Sequence, residues 1–448
     1  MTELSRNPIG FADLIKESTH VLGKKLASWA EDIRHRLALP LRLDLWNGQQ
    51  LSLGDVIPEV IVRLPHVSAL AYFFTPSLSN LGAAYVEGKI DIEGKPAAII
   101  AVGNALAVGT LKLEGKFARI TRKLRHTKAK DRNAIAYHYD VSNDFYRCWL
   151  GPKMVYSCAY FEHGTESLAR AQEKKIDHIL TKIQLAPGQT LLDIGCGWGA
   201  LLIRAAEKFG THGVGITLSE NQAVFARQLI AEKGLTDYID IRIQDYRDVE
   251  GKFDRITSVG MFEHVGLSNL KSYFSKIDSL LAEDGMAMNH GITSTDANSG
   301  ETPYGNGEFI ERFVFPQGEL PHLGLVLKAT QEAGLEVFDV ENLRRHYART
   351  CELWTNNFET HAETIRLLAG ERRYRIWRVY LAGCTYAFNQ DWISLYQIVC
   401  VKSGRPCNTL PWSRKYIYSQ PVSSEMIPAS VVSRLYMHQG AKGARQCA

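Results

Sequence analysis

The chain opens with Phe11, Leu14, Ile15, Leu22, Leu26, Trp29, Ile33 and Leu37 at near-helical spacing, which predicts an amphipathic helix over Phe11 to Leu37. The period then changes. Leu41, Leu43 and Leu45 alternate with Arg42 and Asp44, Asn47-Gly48 supplies a tight turn, and Leu51 and Leu53 resume the alternation, so a hairpin is expected. A strand at Ile61 to Leu64 follows, then a helical stretch through Tyr85 that stops at Gly88. Ile90 and Ile92 alternate into Gly94 ahead of another helix. These elements predict a small α+β domain over residues 1–111.

From about Gln189 short apolar runs alternate with amphipathic helices, the rhythm of a parallel sheet covered by helices on both faces. Strands are expected at Thr190–Ile194, Gly213–Thr217, Ile239–Gln244, Phe253–Met261, Gly285–Ile292, Leu335–Val340 and Leu395–Lys402. The fold class is therefore α/β, with a doubly wound, Rossmann-like sheet of seven strands beside the smaller N-terminal domain. The polar run Thr293 to Glu308 reads as a loop outside that sheet. The expected organisation is an N-terminal domain at 1–111, a linker at 112–133, a catalytic domain at 134–420 and a tail at 421–448.

A length of 448 residues exceeds what one core ordinarily fills, in agreement with two domains. The net charge of +4 is small for that length and gives no argument for nucleic acid as a partner. Local charge says more. The linker carries Lys116, Arg119, Arg122, Lys123, Arg125, Lys128, Lys130 and Arg132 against Glu114 and Asp131. A solvated connector has such a composition, and so does a segment that meets anionic phospholipid headgroups. The eight cysteines contain no C-x-x-C pair, so neither a zinc cage nor a disulfide framework is indicated, and a reducing cytoplasm is the simplest location. Met1 to Gly10 lack the order of a secretory signal, and the apolar stretch Ala97 to Leu111 is too short to span a bilayer. Any membrane association is expected to be peripheral.

Candidate chemistry begins at Leu191-Leu192-Asp193-Ile194-Gly195-Cys196-Gly197-Trp198-Gly199, where an acid ends a strand and three alternating glycines open a helix. A dinucleotide fingerprint spaces its last glycine one residue later and places its acid about 20 residues downstream. The arrangement here suits S-adenosylmethionine, whose ammonium and sulfonium gain from a nearby carboxylate and which has no pyrophosphate. After the second strand, Ser219 and Gln222 read as a capping box, with Thr217 and Gln222 also able to meet ribose or methionyl groups. Asp245 and Tyr246 follow the third strand, where an acid can accept from an adenine amino group and an aromatic ring can stack on the base.

The segment before the sheet is polar and aromatic, and strands four and five end in Gly260-Met261-Phe262-Glu263-His264-Val265-Gly266 and Asn289-His290-Gly291-Ile292. Together the motifs H-Y-D-x-S-N-D-F-Y at 138–146, Y-S-C-A-Y-F at 156–161, L-D-I-G-C-G-W-G, G-I-T-L-S-E-N-Q, M-F-E-H-V-G and H-Y-A-R-T at 346–350 resemble, in order, those of the cyclopropane-fatty-acyl-phospholipid synthase family. The resemblance runs from about His138 to Lys402. It implies a class I methyltransferase in which Tyr156, Ser157, Gly195, Gly197, Thr217, Leu218, Gln222 and Tyr246 contact S-adenosylmethionine. It also implies a bicarbonate ion held by Cys158, Glu263, His290, Ile292 through its backbone, and Tyr347. Cys384 matches a cysteine regarded as active in the family, and Tyr85-Val86-Glu87-Gly88-Lys89-Ile90-Asp91 matches in kind the extension of its phospholipid-acting members. A homodimer is left open, since no segment specifies an oligomeric state.

The implied reaction has an unusual nucleophile: the π electrons of a cis alkene in an acyl chain attack the sulfonium methyl and leave a carbocation. Loss of a proton from the added methyl to bicarbonate closes a cyclopropane. Tyr156, Tyr160, Phe161, Phe262, Phe309, Phe313 and Phe315 are candidate aromatic walls for the cation, and Phe309 to Pro316 a candidate lipid-facing lid. Methylation without ring closure is the near alternative, and a non-catalytic lipid-binding protein the distant one. A nicotinamide oxidoreductase is disfavoured by the glycine spacing. Apart from the resemblance, Cys158 and Cys384 read as buried apolar fillers rather than reactive groups. Glu263, His264 and His290 lack the helical spacing of a metal site, so no metal is expected, and Tyr374, Trp377 and Tyr380 read as core.

Overall fold

A computed structural model describes residues 26–74, 76–110, 141–297, 306–315 and 318–418. The opening of the first helix, the basic linker, the motif residues His138 to Asp140 and the tail lie outside the described residues. Two compact units are formed, one from 1–117 with 304–309 and one from 118–303 with 310–448.

In the first unit the helix occupies 26–37 (α1) and buries Leu26, Ala30 and Ile33. The hairpin forms as its alternation requires. Strand β1 (Leu41–Leu45) pairs antiparallel with β2 (Gln50–Ser52), and β1 lies parallel to β3 (Val60–Leu64), which takes β4 (Asp91–Gly94) antiparallel on its far side. Inward Leu41, Leu43 and Leu45 are buried while Arg42 and Asp44, half-buried, pair with each other at 2.8 Å. Helices α2 (Leu78–Val86) and α3 (Pro96–Thr110) complete the unit. Among the described residues no helix is long and apolar enough to cross a membrane.

The second unit contains all seven expected strands: β5 (Thr190–Ile194), β6 (His212–Thr217), β7 (Ile239–Ile243), β8 (Phe253–Val259), β9 (Leu281–Ser294), β10 (Leu335–Asn342) and β11 (Ile393–Lys402). Their spatial order is β10-β11-β9-β8-β5-β6-β7. The wholly parallel sheet expected from the rhythm is corrected at one edge, because β11 runs antiparallel to both β9 and β10. Side-chain alternation carries no information about strand direction. It does specify two buried faces. On β9, Met286 and Met288 enter the core beneath α5 (Leu168–Lys182), α6 (Ala200–Phe209) and α7 (Glu220–Glu232). Ala287 enters the opposite core, beneath α8 (Leu270–Leu280) and α10 (Leu323–Glu332). Val399 and Val401 of β11 likewise face the first core, and Ile398 and Cys400 the second. The last residues of β9 extend through Ser294 into the stretch expected as loop.

Three further helices frame the ligand edge: α4 (Asn143–Leu150), α11 (Arg344–Thr360) and, after the short α12 (Ala362–Ala369), the long α13 (Glu371–Asn389), while α9 (Asn306–Phe313) follows β9 in the chain. Helix α4 begins where the Ser142 hydroxyl accepts from the Phe145 amide, and it ends at Gly151, whose φ is 85°. Its buried Phe145, Tyr146, Trp149 and Leu150 pack in an aromatic bundle with Trp354 of α11 and Trp377 of α13.

Candidate active site

Strands β5 and β8 are neighbours, and the connection leaving the carboxyl end of β5 leads to one face of the sheet while that leaving β8 leads to the other, so a crevice opens there. A cavity occupies this place. Its lining includes all ten residues expected to meet a cofactor: Tyr156, Ser157, Asp193, Gly195, Gly197, Thr217, Leu218, Gln222, Asp245 and Tyr246. The glycine turn is shaped by backbone that other residues rarely adopt, with φ of 79°, 54° and 85° at Gly195, Gly197 and Gly199. A Cβ on Gly199 would also stand 3.3 Å from that of Ala226, so this glycine lets α6 approach α7.

Local hydrogen bonds refine the sequence reading. The Ser219 hydroxyl accepts from the Gln222 amide at 3.3 Å, but the Gln222 side chain does not return the bond as a capping box would. Its Oε1 instead accepts from the Thr217 hydroxyl at 2.8 Å, leaving the side-chain amide at the cavity wall. Asp245 is engaged by Arg247, whose Nε and Nη2 donate to the two carboxylate oxygens at 2.8 and 2.7 Å. Arg247 also lies over the Tyr246 ring and lines the cavity. Sequence reasoning missed it, since an arginine after a strand ordinarily reads as solvated surface.

Asp193 is buried and accepts from the Thr257 hydroxyl at 2.7 Å, and burial raises its pKa to about 6. Helix α5 supplies two further residues that sequence reasoning missed. Gln172 donates to the Ser157 carbonyl at 2.8 Å, and Lys175, wholly buried, donates to the Ser157 hydroxyl at 2.8 Å. Burial lowers the Lys175 pKa to about 8. The only cue in the sequence was position, one helical turn apart on the apolar face of α5.

The five residues expected around bicarbonate lie outside that lining: Glu263, His290 and Ile292 at β8 and β9, and Cys158 and Tyr347 at α11. Glu263, in a single turn after β8, accepts at Oε1 from the Ile292 amide of β9 at 2.7 Å. This uses the Ile292 N–H, so Ile292 acts as the anchor of Glu263. Burial raises the Glu263 pKa to about 7, against that backbone bond. His290 is buried two residues earlier on β9, and burial holds its pKa well below the ordinary value. The Gln397 amide nitrogen lies 3.2 Å from Nδ1, and where that amide donates to Nδ1 the neutral ring carries its proton on Nε2. Tyr347 packs on Phe388 and Trp354, and burial holds its hydroxyl pKa well above the ordinary value. His264 is on the cofactor side, against Phe315. No cluster of three or more metal-ligating groups occurs among the described residues.

Two expected chemical roles receive no support from their surroundings. Cys384 stands on α13, hydrogen-bonded to the Tyr380 side chain, and burial raises its pKa; among the described residues no cation lowers it. Cys158 is fully buried and donates to the Ala159 carbonyl at 3.2 Å, and burial raises its pKa as well. Among the aromatic candidates, Tyr160 is stacked between His178 and His346 at 4.2 and 4.9 Å and does not line the cavity. Phe313 is buried, which conflicts with an exposed lid face, while Phe315 reaches Tyr380. Tyr156 does line the cavity. Its hydroxyl is 3.0 Å from that of Tyr380, and its ring meets Trp149, Trp354 and Trp377. Tyr374 is core, as expected, stacked on Phe358.

The sheet order, the glycine turn and the residues around it define a class I S-adenosylmethionine-dependent methyltransferase. The family described as mycolic acid cyclopropane synthetase matches residues 126–398, and a domain of unknown function matches 28–120. A probable fatty acid methyltransferase of Pseudomonas putida is 45% identical over 385 residues, covering 85% of this chain and 97% of that protein. Cyclopropane mycolic acid synthase 1 of Mycobacterium tuberculosis is 37% identical over 276 residues, 60% of this chain and 96% of its own. The crystal structure of the mycolic acid cyclopropane synthase CmaA1 with SAH and CTAB matches with a TM-score of 0.58 at 36% identity, over 60% of this chain and 98% of that one. The chain belongs to the mycolic acid cyclopropane synthetase family.

Proposed function

We propose that the protein transfers a one-carbon unit from S-adenosylmethionine to the cis double bond of unsaturated phospholipid acyl chains and closes a cyclopropane ring, with bicarbonate as the base. The observation that carries this reading is the pair Glu263 and His290. Both are buried, and among the described residues neither Glu263 Oε2 nor His290 Nε2 has a hydrogen-bond partner. Unsatisfied buried polar atoms are costly, and a carboxyl oxygen and an imidazole nitrogen left so suit a ligand that both accepts and donates. A hydrogencarbonate ion fits: His290 Nε2–H would donate to its oxygen, and Glu263 Oε2 would accept from its hydroxyl.

When bound, the two small molecules supply an electrophilic methyl and a proton acceptor. This chain's residues do the rest. The glycine turn, Thr217 and Gln222 orient the donor. Glu263, tied to Ile292, and His290, tied to Gln397, fix the acceptor. Tyr156, among Trp149, Trp354 and Trp377, excludes water and offers a π face to positive charge on the chain. Cys158 and Cys384, kept as thiols by burial, present no thiolate for the cation to alkylate. Peripheral membrane contact through the basic linker belongs to the same proposal.

The likeness to a probable fatty acid methyltransferase favours a second reading, methylation without ring closure by the same pocket. Incubation with methyl-labelled S-adenosylmethionine and unsaturated phospholipid vesicles, followed by gas chromatography and mass spectrometry of the acyl esters, decides. Ring-containing esters bearing label support the first reading, and labelled branched esters the second. Absence of label from the lipid would reject both.

A further inference from the structure

Lys175 and Asp193 are opposite charges buried in one wall of the cofactor cavity, yet among the described residues no ion pair joins them. Each is held by a hydroxyl instead: Lys175 Nζ donates to Ser157 Oγ at 2.8 Å, and Asp193 accepts from Thr257 at 2.7 Å. Burying an ammonium group with a single neutral partner is unfavourable, and the remaining two N–H donors have no protein acceptor among the described residues. A lysine held this way has donors to spare for a ligand that arrives.

We propose that Lys175 forms a carboxylate subsite, so that Lys175 and Asp193 together read the zwitterionic amino-acid end of the cofactor. The inference rests on the assignment of this cavity to S-adenosylmethionine and adds a residue that no motif marks. Its chemistry is complementary on both sides. The ligand's ammonium faces the Asp193 carboxylate, and its carboxylate faces the Lys175 ammonium, which Ser157 orients. Burial pulls both side chains toward their neutral forms, and a bound zwitterion restores both charges. The helix carrying Lys175 is held in place at its other end, where Lys182 pairs with Glu341 and Asp339 of β10 at 2.6 and 3.3 Å. Gln172 fixes the loop bearing Ser157 from the same face. Lys175 is thus a rigid point charge in a dry wall, and its attraction to a carboxylate is little screened.

The test compares S-adenosylhomocysteine with its decarboxylated counterpart, S-adenosyl-3-thiopropylamine, by titration calorimetry on the full chain. The unaltered protein is expected to bind the carboxylate-bearing ligand at least tenfold more tightly. Lys175→Gln, which retains a donor for Ser157, should bind both about equally, with the loss confined to S-adenosylhomocysteine, and Lys175→Arg should restore part of the preference. A variant that weakens both ligands by one factor would show a merely structural role and overturn the proposal. Circular dichroism checks folding. Should Lys175→Gln not fold, the comparison falls to Lys175→Arg and the unaltered protein, and absence of discrimination there would overturn it. No lipid enters the titration, so rejection of the acyl-chain reading leaves this result standing, and the reverse.

Discussion

Glu263 Oε1 accepts the Ile292 amide at 2.7 Å, so a carboxyl group in the turn after β8 is fastened to the end of β9. The bond satisfies one oxygen, while Oε2 has no hydrogen-bond partner among the described residues. Glu263→Gln keeps the Ile292 contact through its amide oxygen while removing the charge. Turnover should fall on the order of 10²-fold or more, with S-adenosylhomocysteine affinity unchanged because the glycine turn is intact. Paired activity and calorimetry measurements check this; undiminished turnover would remove Glu263 from the mechanism.

The same residue predicts a pH effect on stability. An unfolded Glu263 ionises near 4.5, while burial raises the folded value to about 7. Between those values the folded state binds more protons than the unfolded, so this group's contribution to stability declines as pH rises through the window. Replacing it with glutamine removes the penalty. Glu263→Gln should melt higher than the parent at pH 8, by a ceiling of roughly 3 kcal/mol, and the gain should vanish near pH 4. Thermal melts at the two pH values test the sign.

Gly291 sits between His290 and Ile292, and a Cβ there would lie 1.8 Å from the ring of Phe262. The ring is itself buried and cannot step aside freely. Gly291→Ala should cost about 1 to 3 kcal/mol through overpacking and should displace Phe262 and, with it, neighbouring Glu263. Chemical denaturation and the lipid assay should both report the change.

Cys384→Ala should retain turnover within severalfold, because its thiol is kept protonated by burial and is bonded to Tyr380. A loss of 10²-fold in the lipid assay would return Cys384 to the catalytic set.

Neutralising Arg122, Lys123 and Arg125 should weaken binding to anionic phospholipid vesicles by about 1 kcal/mol per base, with the largest difference at low salt. These positions lie outside the described residues, so the argument is one of charge alone. Equal sedimentation of variant and parent with vesicles would reject the membrane role of the linker.

Much of this architecture could be read from the chain because both faces of the large sheet are buried, which writes its strands as apolar runs such as Leu191-Leu192 and Ile398 to Val401. The glycine turn was legible for a related reason, since strained backbone demands a particular residue. Strand direction was not, because alternation is the same read either way, and β11 entered reversed. Lys175 was hidden by convention, as a lysine on an amphipathic helix ordinarily marks the wet face. Gln222 showed the limit of a local motif: its capping partner was present, but a bond to Thr217 won. Tyr160 was misread because its π face is taken by two histidines distant in sequence.

The reversed strand also bears on how the molecule comes to exist. β11 lies between β9 and β10, both made earlier, so the catalytic sheet stays split until residue 402 has emerged from the ribosome. Until then β9 and β10 present open hydrogen-bonding edges, a hazard for misassociation during synthesis. The Gln397 side chain that steadies His290 arrives on that same closing strand, so the steadying of this ring and the completion of the sheet are a single event.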